Sequence, residues 1–189
     1  MTRTMRIGVA AVLGALLLPV LGVLAFGDNP LRNASVGQWA EYVMKNQVMG
    51  QTMEMKMKQS VVAKDATSVT LRTETTVMGK KTSTDVKIPF DQPYEPYKTG
   101  LPANAKVTVT PMGTGSETVT VGGRAYACTW AKVKMVMAAP TPMESVTKVW
   151  TCKDVPVAGM VKMETESTMS AGGQSMTTRM TMELTGSSR

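Results

Sequence analysis

The sequence of 189 residues contains no histidine. Histidine is the commonest general base of enzymes, the usual partner of a serine or cysteine nucleophile, and a common ligand of zinc and Cu(II). An enzyme would therefore have to work through lysine and carboxylate groups, and no spacing in the chain singles out such a site. The sequence predicts a non-enzymatic protein with no catalytic residue, no cofactor and, in its main interpretation, no metal site.

The chain also lacks a run of basic residues. Its formal net charge is +7, but the lysines are scattered, so no stripe suited to nucleic acid appears. The main interpretation is a soluble surface with a slight excess of lysine, and no nucleic-acid partner is predicted. A weak preference for an anionic surface, such as lipid headgroups, is the alternative. The sequence does not indicate an oligomeric state.

Residues 1–27 have the features of a Sec-type signal peptide. Arg3 and Arg6 are the only charges in this segment, the run from Ile7 to Phe26 is apolar, and small-residue cleavage patterns end at Ala25 and Gly27. These features predict export to the periplasm or the extracellular space after cleavage. An uncleaved N-terminal membrane anchor is the alternative, because 20 apolar residues just span a bilayer. Residues 28–189 are predicted to form a single β domain.

A helical period is missing from residues 28–189, where apolar residues instead recur at every second position. This pattern predicts strands over 39–49, 51–63, 68–77, 82–90, 106–110, 117–121, 124 onward, 160–169 and 175–185. Gly122-Gly123 is a signal for a two-residue hairpin turn. Residues 89–104 carry four prolines and are predicted to form a long loop that packs over the sheet as a plug.

The alternation predicts a mainly β protein with little helix. Most strands have one apolar and one charged face, and no amphipathic helix is available to cover the apolar side. We therefore expect a curved antiparallel meander sheet that forms an incomplete barrel, or half-barrel. Its apolar face must be covered by the sheet itself, by a second copy or by an apolar ligand.

The chain has only two cysteines, Cys128 and Cys152. If the hairpin pairs residues whose numbers sum to 280, Cys128 faces Cys152 and Trp130 faces Trp150. Directly opposed strand residues lie within disulfide range, and export permits oxidation. The sequence thus predicts a structural disulfide, which would contribute roughly 3–4 kcal/mol for a loop of about 25 residues. Two unpaired buried thiols are the alternative.

Methionine is abundant, with 18 residues in the chain. Pairs and triplets at alternate positions place thioethers on single strand faces. The predicted lining of an apolar ligand site is Met53, Met55, Met57, Met135, Met137, Met180 and Met182. Methionine makes an adaptable apolar lining, but thioethers also bind Cu(I). The alternative is therefore a soft-metal module.

Two stretches resemble a known family. They are Val36-Gly37-x-Trp39-x-Glu41-Tyr42 and Trp150-x-Cys152-x-x-Val155-Pro156-x-x-Gly159-x-Val161-Lys162. In these residues, and in strand order, the chain resembles uncharacterised exported β proteins of planctomycete-type bacteria, related to the LolA/LolB-like lipoprotein-carrier superfamily. The resemblance implies an incomplete antiparallel barrel with an apolar concave face. It also implies an exported binding protein for a lipid or an acylated protein, and it assigns no functional residue.

The sequence therefore leaves three functions open. The first is an exported protein that binds a lipid or acyl chain on a methionine-rich concave face. The second is a Cu(I)-binding module built from Met-x-Met strands. The third is a structural envelope protein without a small ligand.

Overall fold

A computed structural model describes residues 29–96, 106–139, 142–171 and 174–188. The predicted signal segment and the second half of the predicted proline-rich loop lie outside the described residues, as do residues 140–141 and 172–173. The described chain forms a short 3-10 helix, Pro30–Asn33, and nine strands. The strands are β1 (Trp39–Val48), β2 (Gln51–Lys64), β3 (Ser68–Val77), β4 (Lys80–Pro89), β5 (Lys106–Val121), β6 (Arg124–Ala139), β7 (Met143–Thr151), β8 (Met160–Ala171) and β9 (Gln174–Ser187).

All nine strands belong to one antiparallel sheet in the order β4-β3-β2-β1-β9-β8-β7-β6-β5. Each strand pairs with the next one along the chain except at the step from β4 to β5, which are the two edges. The first and last strands pair in the middle of the sheet. This arrangement confirms the predicted mainly β, curved antiparallel sheet, with the meander interrupted once, at the proline-rich loop.

The sheet is strongly curved at its β5 end. Neighbouring strands lie about 4.8 Å apart, so β5 and β9 would be roughly 19 Å apart in a flat sheet. In the structure, Cα atoms of these two strands approach within 8 Å. The curvature gives the sheet a concave face that buries the inward side chains of the central strands, such as Tyr42, Val61, Val149 and Leu184.

Strand β5 differs from the sequence prediction of two short strands, because it runs without interruption from Lys106 to Val121. Pro111 lies within β5, but β5 is an edge strand, where proline is tolerated, and the register shifts between Pro111 and Gly113 by a bulge. Gly115 has a packing role. A Cβ atom on it would lie 2.8 Å from the Trp130 ring, so the missing side chain makes room for the tryptophan.

Two hairpin turns place methionine in the left-handed region of backbone conformation. Met49 and Met78 have φ values of +50° and +48°, and each precedes a glycine with positive φ. Both φ-positive positions of such turns favour Asn, Asp or Gly. Because both side chains are almost fully exposed, no packing offsets the conformational cost.

We therefore predict that Met49→Asn and Met78→Asn each raise the free energy of unfolding by about 0.5–1 kcal/mol, since Asn tolerates this region better. Chemical denaturation of the two single variants and the double variant measures the effect. Unchanged or lowered stability in both single variants would contradict the turn geometry.

The N-terminal segment and residues 90–96 close one end of the sheet together. Leu31 is fully buried. Asn29 donates a side-chain hydrogen bond to the Gln92 carbonyl at 3.1 Å, and Arg32 donates to the Phe90 carbonyl at 2.6 Å. These bonds fix the start of the proline-rich loop over the core, as the sequence predicted for that part of the loop.

Candidate functional site

The strand register aligns methionines from four neighbouring strands. Met55 of β2 faces Met44 of β1, Met44 faces Met182 of β9, and Met182 faces Met163 of β8. Directly opposed residues in antiparallel strands lie about 4.5–5.5 Å apart at Cα. The pairing therefore gathers thioethers that are far apart in the sequence into one continuous row across the concave face.

Three members of this row, Met44, Met163 and Met182, border a cavity of about 200 Å³, which we call the methionine cavity. Its walls come from strands in both halves of the curved sheet and from Pro96 of the proline-rich loop. Eight methionines contribute to it. The described lining consists of Met44, Met57, Met135, Met143, Met160, Met163, Met180 and Met182, together with Gln59, Pro96, Ser145, Thr147, Thr165 and Ser167.

Four hydroxyl side chains form a polar strip on one wall of the methionine cavity. Ser145 and Thr147 belong to β7 and face Ser167 and Thr165 of β8. The Thr147 and Thr165 hydroxyl oxygens are 2.9 Å apart and share a hydrogen bond. The Ser145 Oγ atom, in contrast, is buried and has no hydrogen-bond partner among the described residues.

Two further buried polar atoms lack partners within the described chain. One is Oε1 of Gln59, which also lines the methionine cavity, and the other is the hydroxyl of Tyr42. Burial, and secondarily the nearby Tyr94, raises the pKa of the Tyr42 hydroxyl above its ordinary value. Burial likewise raises the pKa of Tyr94 to about 12. Both phenols are therefore neutral at physiological pH.

No charged side chain is among the described residues that line the methionine cavity. Ion pairs of β8 and β9, such as Lys162 with Glu164 and Arg179 with Glu166, involve side chains that do not border the cavity. A charge placed inside the cavity would find no charged partner among these described lining residues, and burying an unpaired charge is costly. The cavity is chemically suited to a neutral guest.

A second, larger cavity of about 870 Å³ lies at the end closed by the N-terminal segment, and we call it the outer cleft. Tyr94 and the turn between β7 and β8 form much of its wall, and Asn33, Lys153 and Asp154 supply polar groups. Pro96 lines both the outer cleft and the methionine cavity. The two cavities therefore adjoin at this proline.

The structure does not contain the predicted disulfide, because Cys128 and Cys152 are both free, buried thiols. The predicted register itself is present, with Trp130 opposite Trp150. The ladder, however, ends at the pair Thr129 and Thr151, one position before the cysteines. The Cys152 amide donates to the Gly159 carbonyl at 2.7 Å, so Cys152 already belongs to the following turn.

We predict that both thiols are protected from alkylation in the folded protein. Burial, then the neighbouring Cys152 and then Glu117, raise the pKa of the Cys128 thiol, so little reactive thiolate forms at neutral pH. Mass spectrometry after maleimide treatment should show two labels in denaturant without reductant and slow labelling of the native protein. A Cys128→Ala variant should take one label. Labelling in denaturant that requires reductant would show a disulfide instead.

The tryptophan pair belongs to a polar brace on the β6–β7 hairpin. The Lys148 ammonium lies 4.4 Å from the ring centroids of both Trp130 and Trp150, and it pairs with Glu117 at 2.8 Å. The Trp150 indole N–H also donates to Glu117. Lys132 faces Lys148 in the register, and the partners of Lys148 offset this like-charge pair. The brace stabilises the hairpin but contributes no residue to the methionine cavity.

The structure divides the seven methionines predicted to line a ligand site. Met57, Met135, Met180 and Met182 border the methionine cavity, whereas Met53, Met55 and Met137 do not. Met53 is 48% exposed, and it lies near the start of β2, next to the hairpin turn at Met49 and Gly50. The lining residues that the sequence pattern missed are Met44, Met143, Met160 and Met163. None of these four belongs to a Met-x-Met pair. Only Met163 is indicated by the alternation, which places it on the apolar face of β8 together with Val161.

Comparison with known proteins gave one similar solved structure and no family. No family model and no curated protein matches the chain. The crystal structure of a proposed lipoprotein from Parabacteroides distasonis is 12% identical, with a TM-score of 0.42, and covers 80% of this chain and 96% of that one. Among the residues that the structure describes, no helix is long and apolar enough to cross a membrane.

Proposed function

We propose that this is an exported, non-enzymatic protein that binds a hydrophobic ligand, a lipid or acyl chain, with one end of the ligand in the methionine cavity. The observation that carries the proposal is that eight methionines, from strands in both halves of the curved sheet, line one cavity. Methionine side chains are flexible and polarisable, so they adapt to guests of different shape. Export is supported by the signal-like features of residues 1–27.

The size of the void supports a guest in this place. Protein cores are close-packed, so an unfilled space of about 200 Å³ beside the core leaves the side chains that line it short of packing partners. A bound apolar group would supply dispersion contacts to the methionines that line this space. A cavity of about 150 Å³ holds one benzene molecule, so the methionine cavity has room for a short segment of chain, on the order of eight non-hydrogen atoms.

The remainder of a longer ligand would lie in the outer cleft. The cleft adjoins the methionine cavity at Pro96 and contains the polar groups of Asn33, Lys153 and Asp154. Ligand sites typically measure about 300–1,000 Å³, and the outer cleft falls within this range. This division suits an amphiphile whose apolar end is buried and whose polar part stays near water, including the acyl chain of a modified protein.

The proposal is tested with the protein exported by a bacterial host from the full-length chain. Native mass spectrometry of the purified protein should show a lipid-sized adduct that is lost on organic extraction. The extracted protein should then raise the fluorescence of a hydrophobic dye, and added lipid should displace the dye. A clean ligand-free mass together with no dye response would contradict the proposal and would favour a structural envelope protein.

A Cu(I) site is the second candidate. The row of four facing methionines is a better place for it than the triplet Met53, Met55 and Met57, because the row brings together thioethers from neighbouring strands. Thioethers are soft ligands that suit Cu(I). Competition with a Cu(I) chelator should then be lost in the double variant Met44→Leu and Met182→Leu, which keeps the apolar wall. Met49→Leu, at an exposed hairpin tip, is the control. Equal competition by all three proteins would exclude this site.

A further inference from the structure

We propose that the methionine cavity recognises a neutral hydrogen-bonding group of its ligand through Ser145 and Gln59. This inference rests on the proposed function and narrows the ligand class. The ligand would be an uncharged amphiphile that carries a hydroxyl, an amide or a protonated carboxyl group on its buried portion, rather than a plain hydrocarbon chain. Ser145 and Gln59 would be binding residues with no catalytic role.

The starting observation is that both side chains are buried and unpartnered in the same cavity. Ser145 is 1% exposed and Gln59 is 5% exposed. Neither Ser145 Oγ nor Gln59 Oε1 has a hydrogen-bond partner within the described chain. Buried polar atoms in native proteins are nearly always paired, and each exception calls for an explanation. A ligand group inside the cavity supplies the missing partner.

The neighbouring hydroxyls show why these two atoms are distinctive. Thr147 and Thr165 bond to each other across β7 and β8, so their hydrogen-bonding needs are already met by the protein. Ser145, two residues from Thr147 on the same strand, faces Ser167 without forming such a bond. The polar strip therefore contains one closed pair, Thr147 with Thr165, and one buried hydroxyl without a partner within the described chain, that of Ser145.

The chemistry of the two atoms defines the group they would bind. A glutamine carbonyl oxygen only accepts hydrogen bonds, whereas a serine hydroxyl both donates and accepts. A ligand group with both a donor and an acceptor can therefore pair with either residue. A hydrocarbon would leave both atoms unpaired, and an ion would find no opposite charge among the described lining residues.

The two residues lie on different walls of the cavity. Gln59 is on β2 and Ser145 is on β7, and β1, β9 and β8 separate these strands in the sheet. Both nevertheless line one void of about 200 Å³ because the sheet is curved. Eight of the fourteen described lining residues are methionines, so the two polar groups are fixed points in an otherwise adaptable wall.

Phenol and toluene make a matched pair of probes, since they have nearly the same shape and differ by a hydroxyl in place of a methyl group. Calorimetric titration of the extracted full-length product should give measurable affinities for both. In Ser145→Ala and in Gln59→Leu, phenol should bind roughly three- to tenfold more weakly, the effect of one lost hydrogen bond. Toluene should change by less than twofold. Benzoate should not bind.

Ser83→Ala, on the exposed edge strand β4, is the matched control and should leave both affinities unchanged. If phenol affinity in both cavity variants stays within twofold of the parent, the inference is overturned while the proposed function survives through toluene binding. If neither probe binds the parent protein, the inference is overturned, and native mass spectrometry and dye binding decide the proposed function separately. Ser145→Cys replaces the hydroxyl by a slightly larger thiol that is a weaker hydrogen-bond donor, and it gives the same test should the alanine variant not fold.

Discussion

Replacement of Gly159 by alanine is expected to lower the free energy of unfolding by about 2–4 kcal/mol, the combined cost of a left-handed backbone and of local overpacking. Gly159 has a φ of +72°, and a Cβ atom on it would lie 3.0 Å from the Cys152 carbonyl oxygen. That oxygen belongs to the backbone, so it cannot rotate away as a flexible side chain would. The same turn contains the hydrogen bond from the Cys152 amide to the Gly159 carbonyl.

Gly122→Ala is the matched control for this substitution. Gly122 also has a positive φ, +57°, but no atom lies within 4 Å of a Cβ atom placed on it. It should therefore show only the conformational cost of about 1–2 kcal/mol. Urea denaturation of the two variants measures the difference. Equal losses of stability would show that contact with Cys152 contributes nothing. No loss of stability in Gly159→Ala would contradict the left-handed backbone conformation of Gly159.

Filling the methionine cavity is expected to abolish ligand binding while the fold is retained. Ser167 borders the cavity and faces Ser145. Ser167→Phe would place a ring in a void that holds about one aromatic molecule. We expect dye and lipid affinity to fall at least tenfold, because the guest and the new side chain compete for one space. Thermal stability of the ligand-free protein should change little, because the ring would occupy space that is open in the parent protein.

The control for the cavity variant is Ser83→Phe, which adds the same ring to an exposed position of the edge strand β4. It should bind dye and lipid like the parent protein. Circular dichroism of both variants checks that the sheet is intact. Undiminished lipid binding by a folded Ser167→Phe protein would mean that the ligand lies elsewhere, for example entirely in the outer cleft.

The sequence predicted the local features of this fold because they depend on neighbouring residues. Alternation places β3 at Ser68–Val77, as the structure has it. Gly122-Gly123 forms a tight hairpin with both φ values positive. The pairing of Trp130 with Trp150 follows from the spacing within one hairpin. In each of these cases a short-range periodicity or turn preference determines the result.

The features that the sequence missed depend on contacts between distant segments. The pairing of β1 with β9 brings Met44 beside Met182, and no local pattern indicates that partnership. The continuity of β5 depends on its position at an edge and on Trp130 packing over Gly115. The disulfide prediction was wrong because the ladder stops one pair before the cysteines, where the turn to Gly159 begins.

The most direct test of ligand binding in the methionine cavity is the methyl NMR spectrum of the protein labelled with ¹³C-methyl methionine. Spectra would be recorded before and after lipid is added to the extracted protein. We expect shifts at the cavity methionines, among them Met44, Met163 and Met182, and none at the exposed Met49 and Met78. Shifts confined to the exposed methionines, or no shifts at saturating lipid, would contradict it.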